Sequence, residues 1–135
     1  MLFRSADYVS IMAFLPTHDP GLAHALEAFR TRVGRATGRA TMLGFGPRYL
    51  HSTGQLHKGG ARNGVFLILT AAPAMDMAIP GAGYSFGTLE RAQALGDFNS
   101  LNATGRRAMF IQLPARSPEA ISALAASLET GSRPA

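Results

Sequence analysis

The sequence contains neither cysteine nor tryptophan, and Lys58 is its single lysine. Without cysteine there can be no disulfide, no thiolate metal site and no cysteine nucleophile. No apolar run approaches the ~20 residues that a bilayer-spanning helix needs, so no membrane partner is expected. The first residues also lack the basic start, apolar stretch and small-residue cleavage site of a secretory signal, which makes a cytoplasmic protein the expectation. Charged residues are sparse at 16%, while 47% are hydrophobic, enough to form a core and too many for a disordered tail. With 135 residues there is length for one ordinary domain and no second core.

Acidic residues are also few: 8 against 13 Lys and Arg, for a net charge of +5. A basic surplus can mark a nucleic-acid binder, because cationic side chains release counterions from phosphates. Here all the bases but Lys58 are arginine, in a chain rich in alanine and glycine. That bias fits coding in a GC-rich genome, and an anionic small substrate suits the charge equally well. No nucleic-acid partner is therefore expected. Arg30, Arg32, Arg35 and Arg39 cluster near the end of the first helix, where cations complement the helix dipole on a solvated face.

What the chain does have is an alternation of strands and helices. Residues 8–15 are apolar at nearly every position, the pattern of a strand covered on both faces, and Pro16 ends it. Asp19-Pro20 offers an N-cap and a proline at the first helical position. Leu22, Leu26, Phe29 and Val33 then form one apolar stripe, with Gly38 as the stop. A second strand is expected over residues 41–45, a third over 65–70 and a fourth over 108–113. Ser85 caps a helix sketched by Phe86, Leu89, Ala92, Gln93, Leu95 and Leu101, ending near Gly105. Ser117-Pro118-Glu119 starts a last helix with Ile121, Leu124, Ala125 and Leu128 as its buried face, closed by Gly131. This order implies an α/β three-layer αβα sandwich, flavodoxin-like, with a mainly parallel sheet of about four strands. In such sheets ligands collect beyond the carboxyl ends of the strands, where residues 46–63 and 71–84 begin.

The densest polar cluster is His51-Ser52-Thr53-Gly54-Gln55-Leu56-His57-Lys58-Gly59-Gly60. Its two histidines titrate near neutrality, Lys58 carries a fixed charge, and the glycines let backbone amides approach an anion. The competing reading is a solvated loop with capping Ser and Thr. Metal binding by His51 and His57 finds no acidic ligand within residues 48–63, so no metal is expected. A phosphate-binding P-loop is excluded because Lys58 precedes Gly59 and Gly60 instead of following the second glycine. No nucleophile-elbow pattern supports a Ser-His-Asp triad. His18 and His24 are expected at the surface.

The stretch Gly46-Pro47-Arg48-Tyr49-Leu50-His51-Ser52-Thr53-Gly54-Gln55-Leu56-His57-Lys58-Gly59-Gly60 closely resembles the phosphoglucose isomerase part of fused transaldolase/glucose-6-phosphate isomerase proteins. The likeness continues through Gly64-Val65-Phe66-Leu67, Ile79-Pro80-Gly81 and Tyr84-Ser85-Phe86-Gly87-Thr88-Leu89. It also takes in Ala92-Gln93-Ala94-Leu95-Gly96-Asp97 and Gly105-Arg106-Arg107, so it spans residues 7–128. Ala61 departs from the pattern, which has proline there. The resemblance implies the C-terminal sugar-isomerase half-domain of an enzyme that interconverts glucose 6-phosphate and fructose 6-phosphate through an enediol. In that family a histidine in a Gln-Leu-x-His-x-Gly context opens the sugar ring at a subunit boundary. Gln55-Leu56-His57-Lys58-Gly59 matches it with one residue fewer, which assigns the role to His57.

The same resemblance makes Gln55, Lys58, His51, Ser52 and Thr53 substrate-binding candidates, requires no cofactor, and implies a homodimeric parent enzyme. Two of the family's features are not found. Its glutamate base lies upstream of the matching segment, and its Gln-x-Gly-x-x-x-x-Lys segment has no counterpart, which would pass that role to Lys58. Leu2-Phe3-Arg4-Ser5 matches what a common sequencing-adapter oligonucleotide encodes. Residues 1–5 are thus expected to be non-native, and residues 6–135 to be a single α/β domain, a fragment lacking an upstream half-domain and a transaldolase domain. Two rival readings belong to other classes: a stand-alone flavodoxin-like module that binds a phosphorylated sugar, and a basic nucleic-acid-binding domain. If the chain were active alone, Asp76 would be the candidate base.

Overall fold

The computed structural model describes residues 7–16, 18–46, 64–73 and 75–131, with side chains through residue 127. Its elements run β1 (Tyr8–Phe14), α1 (Pro20–Thr37), β2 (Ala40–Phe45), β3 (Gly64–Ala71), α2 (Phe86–Ala103), β4 (Arg107–Leu113) and α3 (Pro118–Gly131). All four strands are parallel in the order β2-β1-β3-β4. This is the expected α/β three-layer architecture, and each strand falls within a residue of its expected bounds. Central β1 and β3 are buried on both faces, which is why they read as continuous apolar runs.

Alternation along β1 sorts the core into two layers. Val9, Ile11 and Ala13 face one side, where Leu22, Leu26, Phe29 and Val33 of α1 meet Ile121 and Ala125 of α3. Met12 and Phe14 face the other, with Phe66 and Ile68 of β3 and with Ala94 and Leu101 of α2. Helix α1 begins as its sequence dictates. The Asp19 carboxylate accepts hydrogen bonds from the Gly21 and Leu22 amides at 2.9 and 3.2 Å, and Pro20 supplies the first helical φ. Gly38 ends it at φ 67°, its amide donating to the Gly34 carbonyl. His18 and His24 are exposed, as expected.

One expectation needs correction, and one helix buries a side its sequence does not advertise. Of the four arginines Arg30, Arg32, Arg35 and Arg39 only Arg35 is exposed; Arg30 pairs with Glu27 at 2.7 Å, and Arg32 and Arg39, the latter past the end of α1, are half-buried. On α2 the buried residues are Ala94, Asp97 and Leu101, with Phe98 packed beside them. Phe86 and Leu89, two of the residues that mark this helix in the sequence, are 52% and 36% exposed, and Ala92 is exposed too. The cause is positional. The first turns of α2 lie past the last core residues, and there the sheet-facing side carries Gly87, Thr88 and Arg91 beside a cleft instead of core.

At the opposite, amino edge of the sheet, Arg107 makes a bidentate ion pair with Asp7 at 2.6 and 2.7 Å, with the Asp7 side chain only 1% exposed. The pair reaches across the start of β3, where Gly64 lies between Tyr8 and the Phe66 ring. A Cβ at Gly64 would meet that ring at 2.6 Å, so glycine is what the close approach requires.

Candidate functional site

The strand order places a topological switch between β1 and β3, because β2 lies to one side of β1 while β3 and β4 continue on the other. Thr70 borders that switch at the carboxyl end of β3, in register with Phe14 of β1 and Gln112 of β4. Beside it a cleft of about 170 Å³ opens between the sheet edge and the first turns of α2. Thr70, Ala71, Ala72 and Pro73 line its sheet side; Asp76, Thr88 and Arg91 line the other, with Gln112 at its end.

The α2 side is organised by Asp76. Its carboxylate receives the Ser85 hydroxyl at 2.6 Å and the Gly87 amide at 2.9 Å, while Ser85 Oγ accepts from the Thr88 amide at 3.1 Å. Asp76 and Ser85 together satisfy amides at the start of α2, which have no partner within the helix. Gly87 is needed for this, since a Cβ there would come within 2.9 Å of both Asp76 carboxylate oxygens. The Ser85 hydroxyl first, and then the Gly87 amide, hold the Asp76 carboxyl below the ordinary carboxylate range. A carboxylate so held is a weak proton acceptor, which argues against Asp76 as a base.

Arg91 donates to Gln112 Oε1 at 2.6 Å, its only side-chain hydrogen bond among the described residues. Arg116 braces the same corner: it donates to the Ala71 carbonyl at 2.9 Å and pairs with Glu90 at 3.0 Å. Thr70 is 4% exposed, lines the cleft, and has no side-chain hydrogen-bond partner among the described residues. Among the described residues the cleft thus offers a guanidinium, hydroxyl groups and an amide. Among the described residues no group of three His, Cys, Asp or Glu could hold a metal ion. No helix among them is long and apolar enough to cross a membrane.

All the sequence-derived site residues, His51, Ser52, Thr53, Gln55, His57 and Lys58, lie outside the described residues. Those on either side are placed: Gly46 leaves β2 at the carboxyl edge, its amide bonded to the Ala13 carbonyl at 2.9 Å, and Gly64 opens β3 at the amino edge. Sequence reasoning singled out the loop after β3 as a ligand position but missed Thr70, Arg91 and Gln112. A threonine and a glutamine at the ends of the apolar runs 65–70 and 108–113 were the signal that could have found two of them.

No protein-family model matches the sequence, and no curated protein matches it. Among solved structures the chain is similar to a hypothetical protein from Thermus thermophilus, at a TM-score of 0.76 and 21% identity over 93% of this chain. It spans 34% of that protein's length. The similarity shows a shared fold.

Proposed function

We propose that this chain is the C-terminal sugar-isomerase half-domain of a cytoplasmic, homodimeric glucose-6-phosphate isomerase fused to a transaldolase, and that it supplies the ring-opening histidine, His57. The observation that carries the reading is the resemblance over residues 46–60. The further resembling stretches fall on β3, the loop after it, α2 and the turn into β4, and the fold is the kind that resemblance implies. Residues 47–63 follow the carboxyl end of β2, the edge at which parallel α/β sheets bind ligands. Cyclic glucose 6-phosphate must open before a carbon-bound proton can move, and an imidazole titrates in the range that the transfer requires. In this reading His57 moves the ring proton, while Gln55, Lys58, His51, Ser52 and Thr53 contact the phosphorylated sugar. The enediol base comes from the upstream half-domain. Isomerisation by acid and base groups alone requires no cofactor.

The test is His57→Ala in the enzyme restored by its upstream reading frame. Turnover should fall by roughly 10²–10⁴-fold, the usual contribution of one general acid/base residue. Transaldolase activity should survive. Wild-type isomerase rates in the variant would overturn the assignment and turn attention to His51.

A further inference from the structure

We propose that the cleft between the carboxyl ends of β3 and β4 and the first turns of α2 binds a small hydroxylated monocarboxylate, with Arg91 taking the carboxylate and Thr70 and Gln112 the hydroxyl groups. The site uses none of residues 46–60, so it stands or falls apart from the isomerase reading. Thr70 is the first observation. Thr70 lines the cleft at 4% exposure, and its hydroxyl makes no hydrogen bond among the described residues, which leaves it open to solvent or a ligand in the cleft. Its hydroxyl can both donate to and accept from a ligand.

Arg91 is the second. Whereas Arg30, Arg107 and Arg116 each pair with a carboxylate, Arg91 has only the neutral Gln112 oxygen. The rest of its planar fork remains for an anion, and a carboxylate matches that geometry. Gln112 spends its oxygen on Arg91, which leaves its amide nitrogen as a donor.

The charge of the ligand follows from Asp76. The start of α2, where a phosphate would ordinarily dock, is already occupied by this carboxylate. Beside the fixed negative charge of Asp76, a phosphate dianion is repelled more than a monoanion, for which Arg91 supplies the one matching guanidinium. Its carbon skeleton would lie against Ala72 and Pro73. At about 170 Å³ the cleft far exceeds the room one water needs, yet it suits only a small molecule.

D-glycerate is the probe, titrated into the 135-residue chain and followed by backbone amide NMR, with glycerol and inorganic phosphate in parallel. Saturable shifts confined to residues 70–73, 87–91 and 112 are expected with glycerate. Arg91→Met should weaken that binding roughly 10- to 100-fold, as loss of a charged hydrogen-bond partner does. Thr70→Val, which keeps the side-chain shape, should weaken it about fivefold. Arg91 is exposed, so its variant tests the site even if Thr70→Val lowers the melting temperature. The proposal is overturned if tens of millimolar glycerate leaves those amides unmoved, if glycerol saturates them equally, if phosphate binds more tightly, or if Arg91→Met binds as the wild type does.

Discussion

At the scale of single residues, the Asp7–Arg107 ion pair is bidentate, with its carboxylate buried. The Asp7 hydrogen bonds raise the Arg107 pKa, so the guanidinium stays charged while three-quarters covered. Removing one partner of a buried pair leaves the other uncompensated, and that penalty exceeds the worth of the pair itself. Asp7→Ala should therefore cost about 3 kcal/mol in urea unfolding, and Asp7→Asn, which retains a hydrogen-bond acceptor, should cost less. An unchanged midpoint for Asp7→Ala would refute the assignment. Asp76 poses a pH question. Its carboxyl pKa is lowered from the ordinary 3.8, chiefly by the Ser85 hydroxyl. A depressed folded-state pKa contributes stability that is present above the unfolded value and is lost as pH falls through the folded one. Wild type should thus lose stability more steeply below pH 3.8 than Asp76→Asn does. Parallel acid melting curves would contradict this.

At the scale of elements, α1 and α2 show the same physics with different legibility. In α1 the cap, the stripe and the stop are all local, and Leu22, Leu26, Phe29 and Val33 are buried where the spacing put them. Asp19→Ala should cost about 1 kcal/mol, the usual worth of an N-cap, read as a lower melting temperature. In α2 the sheet-facing side runs Gly87, Arg91, Ala94, Phe98 and Leu101, at spacings of four, three, four and three. Its first half is polar because it borders a cleft, and Phe86 and Leu89 lie on the exposed side. Leu101→Ala should accordingly cost about 2–5 kcal/mol, against under about 0.5 for Leu89→Ala. Equal losses would show that α2 is rotated from the orientation described.

At the scale of the whole molecule, β1 and β3 hold the two helical layers together. Ile68, fully buried on the central strand β3, faces the α2 layer. Ile68→Asp would bury an unpaired charge and should abolish cooperative thermal unfolding. A melting temperature near that of Leu89→Ala would count against the sheet. The isomerase reading makes a molecular prediction as well. Groups that act as a unit lose far more than additively when one is missing, so the isolated chain, without the enediol base, should show no turnover above buffer in a coupled assay. Steady turnover that disappears in His57→Ala would demand a base within these residues. Asp76 is a poor candidate for it, since both its oxygens are engaged.

The sequence by itself determined the architecture: four strands, their parallel sense and the caps of α1 follow from local periodicity, turn residues and the alternation of element types. These are short-range properties, since burial on both faces is written into an apolar run and an N-cap into the two residues that make it. The resemblance over residues 46–60 is likewise a property of the sequence alone. Only the tertiary structure decided what distant segments build together. Asp7 and Arg107 are a hundred positions apart, and Thr70 meets Arg91 and Gln112 across one cleft. No periodicity within a single element encodes such meetings. They depend on which strands are neighbours, in what register, and on where along the sheet a helix stops covering core and begins to line a cavity.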